Sequence, residues 1–127
     1  MADVTVLVVD DQAPFRTAAK SVVSLTPGFA VVGEARSGEE ALERVAELGP
    51  QLVLMDINMD GISGIEATRR ITALHPEVRV VLLSTYQQDD LPADARSCGA
   101  AAYLHKEMFG PDELEGVWAA PSSGLSV

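Results

Sequence analysis

Polar side chains stand directly after four apolar segments of this sequence, at the point where each segment ends. Asp10 and Asp11 follow the first of these segments, and Asp56 follows the third. Ser84 follows the fourth segment, and Lys106 lies just beyond the fifth. If the segments are parallel strands, their carboxyl ends meet at one edge of a sheet, where ligands bind in open α/β folds. The spacing therefore predicts one site that combines three carboxylates, a hydroxyl and an ammonium group.

This combination has the parts that phosphoryl transfer to a carboxylate needs. Carboxylates at close quarters repel one another, and a hard divalent cation such as Mg²⁺ relieves that repulsion. A carboxylate can itself attack phosphorus and form an aspartyl phosphate. The remaining needs are positioning and charge neutralisation, which a metal ion, a lysine and a hydroxyl can supply. Taken singly, each residue also has an ordinary use as a helix cap, a turn residue or a surface lysine.

Two alternating periodicities indicate the elements that must position these side chains. Runs of aliphatic residues without polar alternation are typical of strands covered on both faces. Five such runs occur, at residues 4–9, 29–32, 52–55, 78–83 and 101–104. Segments of helical period separate them and follow the last one, with start signals at Pro14, Ser37 and Ser63. The order predicts an α/β, doubly wound parallel sheet with helices on both faces.

The last two predicted helices differ from the others. The fourth is short, because Pro92 fits only a first helical turn and Gly99 closes it. The fifth contains Leu114, Val117 and Trp118, and a Pro/Ser/Gly-rich segment follows it. We therefore expect one domain over residues 1–119 and a linker or tail over residues 120–127.

Composition and charge limit the class of partner. The chain has 47% hydrophobic and 22% charged residues, which is typical of a globular domain. Its net charge of −10 argues against binding of nucleic acid or an anionic membrane surface. The single cysteine, Cys98, excludes an internal disulfide and fits a reducing compartment. No apolar run approaches the roughly 18 residues that span a bilayer. We expect a soluble cytoplasmic protein.

The four strand ends resemble the motifs of a known family, the receiver domains of response regulators in bacterial two-component systems. The resemblance extends over residues 4–118 and rests on four blocks in the family's order: Leu7-Val8-Val9-Asp10-Asp11, Leu54-Met55-Asp56-Ile57-Asn58-Met59, Leu83-Ser84-Thr85 and Ala102-Tyr103-Leu104-His105-Lys106. Lys106-Glu107, where many receivers have Lys-Pro, is most similar to the subfamily with a C-terminal LuxR-type helix-turn-helix output domain. The resemblance implies a flavodoxin-like, five-stranded sheet with strand order 2-1-3-4-5.

The resemblance also implies which residues hold the metal ion and the phosphoryl group. Asp56 would accept the phosphoryl group. Asp11 and Asp56 would bind Mg²⁺ directly, together with the backbone carbonyl of Asn58, while Asp10 would act partly through water. Lys106 would pair with the phosphoryl group once it is transferred.

A switch and a partner follow from the same resemblance. Ser84 would bond to the phosphoryl group, and the ring of Tyr103 would follow Ser84. A sensor histidine kinase would be the donor, and the chain would catalyse only its own phosphorylation and dephosphorylation. The changed surface, on the fourth predicted helix, the fifth strand and the fifth helix, would control homodimerisation or output. Asp60 stands where the family usually has proline.

Two other functions remain open at the level of sequence. A haloacid-dehalogenase-type phosphohydrolase also uses an aspartyl phosphate, a hydroxyl and a lysine. Its nucleophile opens an Asp-x-Asp motif on a first strand, whereas Asp56-Ile57-Asn58 lacks the second Asp and follows the third apolar run. The other alternative is a degenerate receiver that only binds proteins. Whether a DNA-binding domain follows Val127 in a parent transcription regulator is also left open.

Overall fold

The computed structural model describes residues 3–59, 61–85 and 93–119 of the 127-residue chain, without the side chain of Arg96. Asp60, Pro92 and the predicted tail at 120–127 lie outside the described residues. The division into a domain over 1–119 and a tail therefore stays a prediction.

Five parallel strands form one sheet at the centre of the molecule. They are β1 (Val4–Val9), β2 (Phe29–Ala35), β3 (Leu52–Asp56), β4 (Arg79–Ser84) and β5 (Ala102–His105). Their order is β2-β1-β3-β4-β5, which confirms the predicted doubly wound sheet. Strands β2 to β5 end later than their apolar runs, so that Asp56, Ser84 and His105 are the last residues of their strands. The β1–β2 register shifts after Val6, and the unpaired residue on β2 is the exposed Val32.

Four α-helices connect the strands or follow them. They are α1 (Ala13–Leu25), α2 (Gly38–Leu48), α3 (Gly64–Leu74) and α4 (Pro111–Ala119). Ser37 and Ser63 cap α2 and α3 as predicted, each hydroxyl accepting a bond from the backbone N–H three residues on. Gly49 ends α2 with φ +57°, a conformation that favours glycine. In the described part of the chain, no helix has the length and apolar character to cross a membrane.

The prediction of a fourth α-helix is wrong for the described residues. There the segment is a single 3₁₀ turn at Ala93–Arg96. The Ser97 N–H donates to the Asp94 carbonyl, and the Cys98 thiol donates to the Ala95 carbonyl. These short-range bonds occupy the carbonyls that a continuing α-helix would use. Gly99, with φ +98°, then ends the turn. The fifth predicted helix is α4.

Apolar side chains cover both faces of the sheet, as the continuous strand pattern predicted. On one face, α2, α3 and the 3₁₀ turn pack on alternate strand residues that include Leu7, Met55 and Leu82. On the other face, α1 and α4 pack on residues that include Val8 and Leu54. Both layers hold the strands in one register, and this fixes the positions of the residues at the carboxyl edge of the sheet.

Candidate functional site

The structure brings the predicted polar residues to one edge of the sheet. Asp10 follows β1, Asp56 ends β3, Ser84 ends β4 and Lys106 follows β5. Because β1, β3 and β4 are neighbours and β5 lies beside β4, all four residues stand at carboxyl ends of adjacent strands. Asp10, Asp56 and Ser84 are buried, whereas Asp11 is exposed at the rim.

The start of α3 fixes the backbone beside Asp56. The Gly64 N–H donates to the Ile57 carbonyl at 2.8 Å, so α3 begins directly against the end of β3. A Cβ atom on Gly64 would lie 1.9 Å from the Asp56 carbonyl oxygen. Only a residue without a side chain fits this approach, and the helix start is thereby held against the backbone at the end of β3.

Lys106 crosses the site and contacts two of its carboxylates. Its Nζ atom donates to Asp10 Oδ2 at 2.7 Å and lies 3.1 Å from Asp56 Oδ1. The ring of Phe15, in the first turn of α1, lies under the same ammonium group, with 4.5 Å between Nζ and the ring centroid. Lys106 is thus held by two negative charges and an aromatic face.

The positive charge of Lys106 compensates only part of the negative charge of Asp56 and its acidic neighbours. Burial raises the pKa of Asp56 to about 6, with the negative charge of Asp10 adding to the rise and Lys106 opposing it. Burial by itself lowers the pKa of Lys106. The hydrogen bonds from Lys106 to Asp10 and Asp56 and the negative charges of these two residues outweigh burial, so the pKa of Lys106 is raised. The ammonium group is therefore firmly charged, and the site still holds an excess of negative charge.

A divalent cation fits this excess. Asp10, Asp11 and Asp56 each offer a carboxylate oxygen, and the three oxygens lie within 4.8 Å of one another. Mg²⁺ prefers oxygen ligands, and it keeps several of its waters, so a partly exposed group of carboxylates suits it. Elsewhere in residues 3–59, 61–85 and 93–119, no three His, Cys, Asp or Glu side chains come together in this way.

Asp10 is held at each of its polar groups. Its N–H donates to the Ala35 carbonyl, and its Oδ1 accepts from the Gln12 N–H at 2.8 Å. Its carbonyl oxygen accepts a bond from Arg16 Nη1 at 2.7 Å. Sequence reasoning identified neither Arg16 nor Phe15 as a residue of this site. The pattern of α1 carried no signal for the contacts of either residue, because both are made to other elements of the fold.

The remaining predicted residues, Asn58, Ser84 and Tyr103, lie at or near the same edge of the sheet. Asn58 is exposed two residues after Asp56, at the end where its carbonyl was predicted to bind the metal. Ser84 and Tyr103 lie on the same face of the sheet, because Tyr103 pairs with Leu82, two residues before Ser84. Tyr103 is half-buried against the α2–α3 face. The expected coupling between Ser84 and Tyr103 stays a prediction.

Comparison with known proteins gives matches along nearly the whole chain. Residues 6–117 match the family model described as the response regulator receiver domain. The response regulator GacA of Pseudomonas viridiflava is 43% identical over 103 residues, covering 81% of this chain and 48% of GacA. The transcriptional regulatory protein DegU of Brevibacillus brevis is 34% identical over 124 residues, covering 98% of this chain and 52% of DegU. The chain thus spans about half the length of these curated relatives.

A solved structure gives the same result for the fold. The crystal structure of a LuxR-family two-component response regulator from Aurantimonas sp. SI85-9A1 superposes with a TM-score of 0.84 at 31% identity. The match covers 97% of this chain and 87% of that chain.

Proposed function

This chain belongs to the family of response regulator receiver domains, in the LuxR/NarL-type subfamily, and we propose that Asp56 is the phosphoryl acceptor of its signalling switch. The family resemblance found in the sequence is thereby confirmed, and receiver domains are in general signalling switches rather than enzymes. One observation carries the proposal for Asp56. Its carboxylate is buried at the end of a central strand, 3.1 Å from the Lys106 ammonium, within a group of three acidic side chains.

The proposed reaction is transfer of a phosphoryl group from a sensor histidine kinase. A carboxylate oxygen of Asp56 forms a bond to phosphorus, the bond from phosphorus to the donor histidine nitrogen breaks, and that nitrogen keeps the electron pair. With a pKa of about 6, Asp56 is mainly ionised at neutral pH and can act as the nucleophile. Lys106 remains beside the new group and pairs with its oxygens, so the chain itself catalyses the step.

Receiver domains in general bind Mg²⁺ at an acidic pocket, and the acidic group described here fits that ion. We assign Asp11 and Asp56 as direct ligands, the Asn58 carbonyl as a third, and Asp10 as a ligand partly through water. When bound, Mg²⁺ supplies positive charge that neutralises the oxygens of the transferring group. Lys106 offsets part of the repulsion between Asp10 and Asp56 in the metal-free protein.

The switch would act through the strand ends on the same side of the sheet. The Ser84 hydroxyl donates to a phosphoryl oxygen, and Tyr103 moves toward the space beside β4. The surface that changes comprises β5, α4 and the segment between β4 and β5, and it would control homodimerisation or output. A ligand shifts such an equilibrium only by its different affinity for the two states, and here that difference lies in the Ser84 bond.

The parent protein would be a transcription regulator. GacA and DegU are about twice as long as their matched regions, which leaves room for an output domain beyond the receiver. With a net charge of −10, the present chain is unsuited to contact DNA phosphates, and DNA binding would belong to that other domain. We place the protein in the cytoplasm, since its one cysteine, Cys98, is a buried free thiol.

Phosphorylation by a small donor tests the acceptor. Incubated with Mg²⁺ and acetyl phosphate, the wild-type chain should gain the mass of one phosphoryl group, and Asp56→Asn should gain none. Asp112→Asn, which changes an exposed carboxylate on α4, should be modified like the wild type. Intact-mass spectrometry reads all three proteins. Full modification of Asp56→Asn would place the acceptor elsewhere, and an unmodified wild type would indicate a receiver that only binds proteins.

A further inference from the structure

Arg16 links the acidic site to the strand behind it. Its side chain is only 12% exposed, although α1 lies at the surface. The guanidinium donates through Nη1 to the Asp10 carbonyl oxygen at 2.7 Å and through Nε to Glu34 Oε1 at 2.9 Å. One planar group thus joins the end of β1 to β2.

The Asp10 carbonyl belongs to the peptide that connects Asp10 to Asp11. The N–H on the other side of Asp10 donates to the Ala35 carbonyl at 3.1 Å, so the residue is fixed from both directions. Asp11 is exposed, and the direction of its side chain depends on how that peptide is turned. Whatever holds the Asp10 carbonyl therefore decides whether the Asp11 carboxylate stays within reach of Asp56.

Glu34 in turn fixes the guanidinium. Its Oε2 accepts a bond from Lys20 Nζ at 2.7 Å, while its Oε1 accepts from Arg16. The hydrogen bond from Lys20, together with that from Arg16, holds the pKa of Glu34 below its usual value. Glu34 is thus an ionised bridge between two cations, of which only Arg16 is seen to bond to the Asp10 carbonyl.

We propose that Arg16 is a positioning residue for the metal site: its guanidinium, fixed by Glu34, holds the Asp10–Asp11 peptide so that both carboxylates face Asp56. The inference rests on the proposed function, because it takes the acidic group to be the Mg²⁺ site. Residues that orient metal ligands typically change metal affinity by 10- to 100-fold when they are removed.

The charge of Arg16 and its positioning role predict opposite changes in Mg²⁺ affinity when Arg16 is removed. Its positive charge lies beside the acidic group, so by charge alone its removal strengthens the binding of a dication. If its hydrogen bond orients the ligands, its removal weakens that binding. Lys20 provides a matched control, since it contributes the same charge to the same Glu34 from the same helix.

The test is an Mg²⁺ titration followed by the NMR amide shifts of Asp11 and Gln12. Arg16→Ala should bind Mg²⁺ about tenfold more weakly than the wild type. Lys20→Ala should bind within about twofold of the wild type, or more tightly. Arg16→Lys keeps the charge but cannot bond to both partners as the planar group does, and it should also bind more weakly. Urea unfolding of each variant identifies conditions under which all of them are folded.

The outcomes separate the inference from the proposed function. Wild-type affinity or tighter binding in both Arg16 variants overturns the positioning role, while leaving the Mg²⁺ site in place. A loss of stability without weaker Mg²⁺ binding would also contradict it, by showing a purely structural role. If Arg16→Ala does not fold, Arg16→Lys decides the comparison. A wild-type chain that shows no saturable Mg²⁺ binding at Asp11 would instead overturn the metal site, and the inference with it.

Discussion

At the scale of single residues, the proposed role of Asp56 requires a carboxylate that is both buried and ionised, and burial opposes ionisation. Burial of a phosphoryl acceptor excludes water and so strengthens the electrostatic interactions that guide transfer. Burial and the nearby Asp10 make its ionised form costly, and Lys106 compensates only part of that cost. The functional charge is therefore expected to destabilise the fold when no cation is bound.

This cost should appear as a pH-dependent stability difference between the wild type and Asp56→Asn. The pKa of Asp56 rises from 3.8 to about 6 on folding, so the folded chain holds the proton more readily than the unfolded chain. Wild-type stability should therefore fall as the pH rises from about 4 through about 6, relative to the variant. At about pH 8 without divalent cations, Asp56→Asn should be more stable by on the order of 2 kcal/mol.

Urea unfolding in a chelating buffer measures this difference. At about pH 4 the two proteins should be nearly equal in stability. Asp112→Asn, at an exposed carboxylate, should show no such trend. An Asp56→Asn variant that is less stable than the wild type at about pH 8 would contradict the charge balance described for the site.

At the scale of elements, the glycine at the start of α3 sets the distance between that helix and β3. Gly64→Ala would put a methyl group 1.9 Å from the Asp56 carbonyl oxygen, and neither backbone can move without losing the bond from Gly64 to Ile57. We expect a loss of about 2–3 kcal/mol in the free energy of unfolding. Gly116→Ala is the matched control within a helix, because beyond its chain neighbours and the nearby backbone of α4 no atom of the described residues lies within 4 Å of the position that its Cβ would take.

The control should behave in the opposite direction. Alanine is favoured over glycine inside a helix, so Gly116→Ala should gain about 0.5–1 kcal/mol. Denaturant unfolding of both variants gives the comparison. Equal stability changes in the two would mean that the close approach at Gly64 has no energetic weight.

The strands and the cap residues were predictable from the sequence, because both are local signals. Continuous aliphatic runs marked the five strands, and Ser37 and Ser63 marked two helix starts. The strand ends were placed too early because Asp56 and Ser84 are polar, and periodicity cannot show that a polar residue is the last one in a strand. Within the described residues the fourth predicted helix is a 3₁₀ turn, in which the Ser97 N–H bonds to the Asp94 carbonyl, and periodicity does not distinguish such a turn from an α-helix.

The site was predictable in its members but not in all of its contacts. The motif at each strand end identified Asp10, Asp56 and Lys106, and strand order then places them together. Arg16 was missed because its partner Glu34 lies 18 residues away, on another element. Nothing in the local pattern of α1 distinguishes Arg16, whose side chain is mostly covered, from the more exposed Lys20 one turn later.

At the scale of the whole molecule, the two layers of helices make the sheet a rigid frame with its reactive end at one edge. Ser84 and Tyr103 lie on one face, and the β4 residue that pairs with Tyr103 is Leu82, two residues before Ser84. A phosphoryl group at Asp56 replaces one carboxylate charge with about −1.5 to −2 charges, so a chain that already carries −10 changes by at most about one unit. Under the proposed function, its effect is therefore local and directional, carried by Ser84 and Lys106, rather than a general change in charge.

Beryllofluoride, a stable mimic of a phosphoryl group, allows the most direct measurement of this switch. With Mg²⁺ present, NMR amide shifts should change around Asp56 and along Ser84 and Tyr103, and not at Gly49 on the opposite edge of the sheet. In Ser84→Ala, the shifts around Asp56 should persist and those at Tyr103 should be lost. The same change in the Tyr103 amide shift in Ser84→Ala as in the wild type, or no change at Tyr103 in the wild type, would contradict a switch in which Ser84 couples Asp56 to Tyr103.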